Sequence, residues 1–402
     1  MSRVETTTNF RDSNGADLGK KLITKDYLIS VYPSIGEQIG IPPELWTWGF
    51  GNYGTIGDNA TTSRSTPVTT SAGGTNWKQV SGGSAHSVAI KTDGTLWTWG
   101  RGTSAQLGDN TVTSKSTPVT TFAGGTNWKQ VSTGGYYCAA IKTDGTLWTW
   151  GQGDSGQLGD NTVTNKSTPV TTFAGGTNWK QVSAAGDKHC AAIKTDGTLW
   201  TWGRGTEGQL GNNTVTNKST PVTTFAGGTN WKQVSTGGYY CAAIKTDGTL
   251  WTWGDGGNGQ LGTNTVTNKS TPVTTFAGGT NWKQVSSGDD HCAAIKTDGT
   301  LWTWGNSSKG QLGDNTVTNK STPVTTFAGG TNWKQVSSGR DHCAAIKTDG
   351  TLWTWGYGNF GPLGTNTVTD KSTPVTTFAG GTNWKQVSSG RDHCVAIKSV
   401  DF

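Results

Sequence analysis

Apolar and polar residues alternate over short stretches of this chain, and the same stretches return along its length. TLWTWG, CAAIK, STPVTTF and NWKQVS are each five to seven residues long and rich in β-branched or aromatic residues. A period of two is typical of β-strands, and no window of about 11 residues or more has helical spacing. The pattern therefore predicts four short strands per unit.

The spacing of the repeats sets the number of units. LWTWG occurs seven times, 51 or 52 residues apart, and LWTWG and NWKQVS together contain all 21 tryptophans. Four strands per unit and a period near 50 predict an all-β fold, a seven-bladed β-propeller of four-stranded antiparallel blades. The copies of LWTWG begin at Leu45, Leu96, Leu147, Leu199, Leu250, Leu301 and Leu352.

The two ends of the chain predict how the ring closes. CAAIK and TLWTWG flank Asp-Gly, a strong signal for a hairpin turn. The chain enters the repeats at Leu45 with the second half of this hairpin and leaves them at Lys398 with the first half, where SVDF replaces TDGT. We expect the N-terminal and C-terminal strands to pair within one blade, so that no sheet edge remains at the seam.

Repeated residues that resemble ligands are better explained as core. In TLWTWG, alternation places Trp97 and Trp99 on one face of the strand and Leu96 on the other. All five histidines precede one repeated position, which holds the six cysteines and, once, Ser87. Equivalent positions in neighbouring blades are too far apart for disulfides and do not converge as zinc ligands must. We expect free buried thiols, and histidines that link the blades.

No motif in the chain predicts a catalytic residue, a cofactor or a metal. The G-x-G-x-x-G at Gly151 to Gly156 follows an antiparallel hairpin, whereas a dinucleotide site opens a helix. The aspartate of the GDN turn, which suggests calcium, is replaced by Asn212, Thr263 and Thr365 in three units. No nucleophile stands beside a unique base. The sequence therefore predicts a protein that is not an enzyme.

Composition narrows the setting of the 402-residue chain. Its formal charge of +6 comes with no run of like charges, which predicts a mildly basic surface and no specific nucleic-acid track. No run of about 18 apolar residues predicts a membrane span. The N-terminus lacks the apolar core of a secretion signal, so we expect synthesis and folding in a reducing cytoplasm.

HCAAIKTDGTLWTWG followed by GQLG, as in His189 to Gly211, resembles the repeat of the regulator of chromosome condensation family. The resemblance covers residues 45–402 and implies a seven-bladed propeller closed by terminal strands. That family includes an exchange factor for the GTPase Ran, a β-lactamase inhibitor and interaction scaffolds, so its fold does not determine function. The blade insertion and basic tail of the exchange factors are missing here.

Residues 1–44 precede the repeats and form a separate leader. The stretch from DLGKK to PPELW resembles the leader of some marine bacteriophage structural proteins. That resemblance implies a docking segment and a propeller displayed on a virion. The alternative is a cap on one propeller face, formed through Tyr27, Leu28, Ile29 and Tyr32.

Two windows differ among repeats that are otherwise nearly identical. One follows LWTWG and varies from FGNYG to NSSKG; the other precedes the cysteine position and varies from TGGYY to SGRDH. Because CAAIK and TLWTWG are hairpin partners, both windows are expected at the same end of the blades. We call this end the variable face, and the end with the TDG turns the constant face.

The variable face is predicted to bind a partner. Aromatic and arginine side chains mixed with carboxylates are typical of protein-recognition surfaces. A non-enzymatic scaffold that binds protein is therefore expected; the alternatives are a glycan-binding propeller and, less favoured, a nucleotide-exchange factor. The predicted residues are Phe50, Tyr53, Arg101, Tyr136, Asp154, Asp187, Lys188, Arg204, Glu207, Tyr239, Asp255, Asp289, Asp290, Lys309, Arg340, Asp341, Tyr357, Phe360, Arg391 and Asp392.

Overall fold

Each repeat forms one four-stranded antiparallel sheet, and seven such sheets surround a central channel. The computed structural model describes residues 6–11, 17–23, 43–184 and 186–399. The predicted fold, a seven-bladed all-β propeller, is confirmed. Blade 1 consists of β29, β30, β3 and β4 in that order, and blades 2 to 7 follow as β5–β8 through β25–β28. The bounds of the strands are given below by their position in the blade.

The innermost strands contact each other around the channel. They are β5 (Trp77–Gly82), β9 (Trp128–Thr133), β13 (Trp179–Ser183), β17 (Trp231–Thr236), β21 (Trp282–Ser287), β25 (Trp333–Ser338) and β29 (Trp384–Ser389). The second strands are β6 (His86–Lys91), β10 (Tyr137–Lys142), β14 (His189–Lys194), β18 (Tyr240–Lys245), β22 (His291–Lys296), β26 (His342–Lys347) and β30 (His393–Lys398).

The third strands carry LWTWG, and the fourth strands form the outer edge. The third strands are β3 (Glu44–Gly49), β7 (Leu96–Gly100), β11 (Leu147–Gly151), β15 (Leu199–Gly203), β19 (Leu250–Gly254), β23 (Leu301–Gly305) and β27 (Leu352–Gly356). The outer strands are β4 (Arg64–Thr69), β8 (Lys115–Thr120), β12 (Lys166–Thr171), β16 (Lys218–Thr223), β20 (Lys269–Thr274), β24 (Lys320–Thr325) and β28 (Lys371–Thr376). One 3-10 turn spans Asn52–Gly54.

The ring closes through its own ends, as the sequence predicts. In blade 1, β3 pairs with β30 from Glu44 opposite Lys398 to Gly49 opposite His393. This register reproduces the hairpins of the other blades, where Ile90 lies opposite Leu96. In blade 1, therefore, the two strands are held together by pairing alone, without the Asp-Gly turn that joins them in the other blades.

Strands outside the ring were not predicted. The leader contains an antiparallel pair, β1 (Thr6–Arg11) and β2 (Asp17–Ile23). Tyr27, Leu28, Ile29 and Tyr32 lie outside the described residues, as do residues 400–402, so the docking and capping roles of the leader stay predictions. Among the described residues, no helix is long and apolar enough to cross a membrane.

The core lies between adjacent blades. Leu45 and Ile397 of blade 1 pack against Trp77 and Trp99 of blade 2, and Trp99 is fully buried. Its indole nitrogen donates to the carbonyl of Thr55 in blade 1 at 3.0 Å. Each blade thus needs bulk on both faces, which explains why large residues alternate on both sides of LWTWG.

One glutamine per blade joins the innermost strands. The side-chain nitrogen of Gln181 donates to the carbonyl of Val234 at 3.0 Å, and its oxygen accepts from the Val234 amide at 3.0 Å. Between the other blades as well, the glutamine side-chain oxygen accepts from the backbone amide of the valine in the next blade. The edge of each innermost strand is therefore satisfied by the side chain of the preceding blade.

Replacing Gln181 with Leu should lower the free energy of unfolding by about 2 kcal/mol, because two polar backbone groups of Val234 lose their partner. Chemical denaturation followed by tryptophan fluorescence measures this change. Lys180→Gln, one residue away and exposed, is the control and should change stability by less than about 0.5 kcal/mol. Equal losses in both variants would contradict the role of the glutamine.

Candidate interaction face

Both variable windows meet at one end of the blades. In blade 2 the backbone amide of Arg101, at the start of the first window, donates to the carbonyl of Ala85 in the second at 2.8 Å. Blade 4 repeats this bond from Arg204 to Lys188 at 2.8 Å, and each other blade has its counterpart. The predicted placement of the windows on one face is therefore correct. All twenty residues named from the sequence lie in these windows.

A belt of hydrogen bonds between blades supports this face from below. Nε2 of His189 lies 3.3 Å from Sγ of Cys241 in the next blade, and Nε2 of His393 lies 2.8 Å from Oγ of Ser87. Burial lowers the pKa of His189 to about 4, so its imidazole is neutral at physiological pH. The predicted link between blades is confirmed for these histidines.

The cysteines of this belt are buried free thiols, as expected. Burial raises the pKa of Cys343 and of Cys394 to about 12. A thiol with so high a pKa holds little thiolate at neutral pH and is a poor nucleophile. These cysteines therefore act as small hydrogen-bonding core residues.

Aromatic rings gather on one side of the variable face. The ring of Phe50 meets that of Phe360 edge-on at 5.2 Å, and the guanidinium of Arg101 lies 5.1 Å from the ring of Tyr53 and 5.0 Å from that of Tyr136. Together with Tyr357 these side chains span four consecutive blades, 7, 1, 2 and 3. We call this set the aromatic arc: Tyr357, Phe360, Phe50, Tyr53, Arg101 and Tyr136.

Two rings of the arc depend on a strained backbone. Tyr53 and Phe360 occupy equivalent positions in blades 1 and 7, and both have left-handed φ, 64° and 68°. The residues at this position in the other blades, such as Ser155 and Lys309, are not among those with positive φ. A bulky residue in this region costs energy, and such strain concentrates at functional sites. The two side chains remain 43% and 40% exposed.

Carboxylates dominate the remaining part of the face. We call this part the acidic sector, in blades 3 to 6: Asp154, Asp187, Glu207, Asp255, Asp289 and Asp290. Desolvation, reinforced by Asp187 and Asp290, raises the pKa of Asp289 to about 7. Desolvation also raises the pKa of Asp290 to about 6, with help from Asp255. The sector thus holds carboxyl groups that titrate near neutral pH.

Some of the cationic side chains of the variable face form ion pairs with carboxylates of the same face. Lys188 forms a 2.8 Å ion pair with Asp154 across two blades. Arg340 pairs with Asp341 at 2.7 Å and with Asp392 of the next blade at 2.9 Å. These contacts connect neighbouring windows. Arg204 lies 4.8 Å from the ring of Tyr239, outside the arc.

Some residues of the face are not among the twenty named from the sequence. Ser84 and the repeated glycine pairs, such as Gly134 and Gly135, line the mouth of the channel on this face beside Asp187 and Asp289. Gly134 has a glycine at the equivalent position in most blades, whereas the position of Ser84 and Gly135 holds Asp289 and Arg340 in other blades. Neither charge nor an aromatic ring marks Ser84 or the glycines, because their side chains are short or absent. Their position in TGGYY, directly before the variable residues, was the signal that could have found them.

The chain belongs to the RCC1 family. The RCC1-like domain matches residues 176–401, and the regulator of chromosome condensation (RCC1) repeat matches residues 44–90, 93–141 and 144–193. The family expected from the sequence motifs is therefore shown. The fold and the variable face together define the class, a propeller with seven blades and loops that differ between them.

Two curated proteins and one solved structure illustrate the similarity. The Arabidopsis thaliana ultraviolet-B receptor UVR8 is 33% identical over 326 residues, 79% of this chain and 74% of UVR8. The mouse E3 ubiquitin-protein ligase HERC2 is 28% identical over 382 residues, 92% of this chain and 8% of HERC2. Prp20p of Saccharomyces cerevisiae has the same fold, with a TM-score of 0.77, 19% identity, and coverage of 90% of this chain and 92% of its own.

The raised pKa of Asp289 predicts a pH dependence of stability. An unfolded aspartate ionises near its ordinary pKa of 3.8, whereas the folded one keeps its proton up to about pH 7. The contribution of Asp289 to the free energy of unfolding therefore falls as the pH rises from about 4 to about 7. Relative to the wild type, Asp289→Asn should gain stability from pH 4 to pH 8, measured by urea unfolding.

Asp247→Asn is the control with the opposite sign. The Asp247 carboxylate accepts from the Thr249 amide at 2.9 Å and from its hydroxyl at 2.7 Å, and these bonds lower its pKa. Its contribution is present above the unfolded pKa and is lost as pH falls through the folded pKa. The deficit of this variant should therefore shrink in acid. A pH-independent difference for Asp289→Asn would contradict the assignment.

Proposed function

We propose that this protein is a non-enzymatic recognition protein whose variable face binds a protein partner. The observation that carries the proposal is the aromatic arc, with its exposed rings at Tyr53 and Phe360 on a strained backbone. Strained backbone of this kind clusters at functional sites, and the exposed rings of these two residues recover little of its cost by burial. Tyrosine and arginine are the residues that most often dominate binding energy at protein interfaces.

The two parts of the face suggest the chemistry of the partner. The arc offers rings and the Arg101 guanidinium as anchors, and the acidic sector offers carboxylates beside it. A partner with an apolar anchor next to a basic segment matches both parts at once. Protein binding also occurs on this fold, since Prp20p is described by its binding properties to Gsp1p and histones.

The other candidates have less support from the face. A glycan-binding propeller predicts a similar site in every blade, whereas the arc occupies four blades and is built from different residues in each. Nucleotide exchange was inferred from the family resemblance alone, without the insertion that exchange factors carry. The bacteriophage or bacterial display setting rests on residues 1–44, and protein binding by the variable face does not depend on it.

The partner should be captured with two baits from extracts of the source and its host. One bait is the native chain. In the other bait, every window before the cysteine position is replaced by SGRDH and every window after LWTWG by QGDSG, with the core unchanged. A protein retained only by the native chain is the expected result. Retention of the same protein by both baits would contradict a role for the variable face.

Affinity for the captured protein then tests the arc itself. Tyr53→Ser with Phe360→Ser removes the two exposed rings and should weaken binding at least about tenfold, since each anchor of this kind is worth roughly 2 kcal/mol. Phe122→Ser with Phe173→Ser is the matched control, because these rings are 65% and 66% exposed in blades 2 and 3. Surface plasmon resonance should show the control within about twofold of the wild type. Equal weakening by both pairs would overturn the assignment of the arc.

A further inference from the structure

The constant face carries a ring of lysines that the protein-binding function does not use. Each innermost strand begins with Trp-Lys-Gln, and the lysine is exposed in every blade. These positions are 51 or 52 residues apart, so the sequence shows no cluster of charge. We call them the lysine ring: Lys78, Lys129, Lys180, Lys232, Lys283, Lys334 and Lys385.

The lysine ring surrounds one opening of the channel. Lys78 follows Trp77, which lies opposite Lys91 at the end of the hairpin next to the TDG turn. Lys334 and Lys385 line the same pocket as Lys78. Because all seven innermost strands surround the channel with the same pairing, the equivalent lysines of the other blades lie around this opening as well.

A second set of lysines on this face shows what a structural role looks like. Nζ of Lys142 lies 4.7 Å from the ring centroid of Trp128 and 4.4 Å from that of Trp148. The corresponding lysine of every blade is held between two tryptophans in this way. Cation–π contacts of this kind account for these lysines as part of the fold.

The lysine ring has no such partners. Within the part of the chain that the structure describes, its ammonium groups make no ion pair, no side-chain hydrogen bond and no aromatic contact. The nearby TDG carboxylates are engaged locally, as Asp144 accepts from the amide and hydroxyl of Thr146. Seven cations around one opening repel one another and together attract an anion.

We propose that the lysine ring is a binding site for a compact anion that carries several phosphate groups. Lysine binds phosphate as a point charge, and a single phosphate can meet only a few of the seven ammonium groups. Linked phosphates near one point can meet more of them. Duplex nucleic acid instead spreads its charges along a line, roughly one per 1.7 Å, and matches a track better than a ring.

An anionic membrane is the competing partner. The segments that run from the outer strands across the constant face begin with phenylalanines that are about two-thirds exposed, such as Phe122 and Phe276. Exposed aromatic rings and lysines on one face also favour a lipid surface. The lysine ring nevertheless brings its cations together at the opening, whereas these phenylalanines follow the outer strands.

Inorganic tripolyphosphate is the probe, titrated into the full chain in a calorimeter. We expect one tripolyphosphate per chain, affinity that falls steeply with added salt, and orthophosphate binding at least about tenfold weaker. Lys78→Gln, Lys334→Gln and Lys385→Gln in one chain should weaken tripolyphosphate binding at least about tenfold. This variant keeps its fold because the changed side chains are exposed, which its unfolding curve verifies.

The matched control removes three lysines from the outer strands, Lys218→Gln, Lys269→Gln and Lys371→Gln. It has the same net charge as the test variant and should bind tripolyphosphate within about twofold of the wild type. Equal weakening in both variants, or several weak equivalents per chain, would show nonspecific attraction and overturn the site. Binding to phosphatidylserine vesicles without binding to tripolyphosphate would overturn it in favour of a membrane surface.

Discussion

A single glutamine contact from each blade to the next is the interaction on which this ring depends. The innermost strand of every blade is a sheet edge, and its backbone groups would otherwise face the channel without partners. The amide of Gln181 has one donor side and one acceptor side, which match the carbonyl and the amide of Val234. These contacts join the innermost strands of the seven sheets into a continuous hydrogen-bonded ring around the channel. Loops on the variable face can differ between blades because this contact lies on the innermost strands, while ion pairs such as that of Arg340 with Asp392 add links between particular loops.

The sequence was sufficient for the architecture because its signals are local. The period gives seven units, Asp-Gly gives the hairpin, and the split hairpin at Leu45 and Lys398 gives the closure. Contacts between repeats could not be predicted from these local signals. Gln181, for example, donates to a residue 53 positions away, within another copy of its own motif. The lysine ring escaped notice for the same reason, since its charges are adjacent only after the ring forms.

The candidate site was predictable in its location and less so in its internal order. Hairpin geometry places both windows at one end. The division into an aromatic arc and an acidic sector depends on which blades are neighbours around the ring, as when Phe50 meets Phe360 across the closure. The pKa of Asp289 depends on carboxylates from several blades. The left-handed backbone at Tyr53 has no sequence signal, because tyrosine is a residue that normally avoids it.

The pairing of β3 with β30 also has a consequence for the order of events during synthesis. Strand β3 leaves the ribosome among the first of the ring strands, and its partner is the last. Its edge must wait while six nearly identical second strands emerge, each able to offer the same backbone pattern. Each of those strands is, however, joined by a short turn to its own LWTWG, and a partner so close in sequence has the higher effective concentration and wins the competition. Translation speed and chaperone access while β30 is being made should therefore affect the yield of this protein more than events during synthesis of the middle blades.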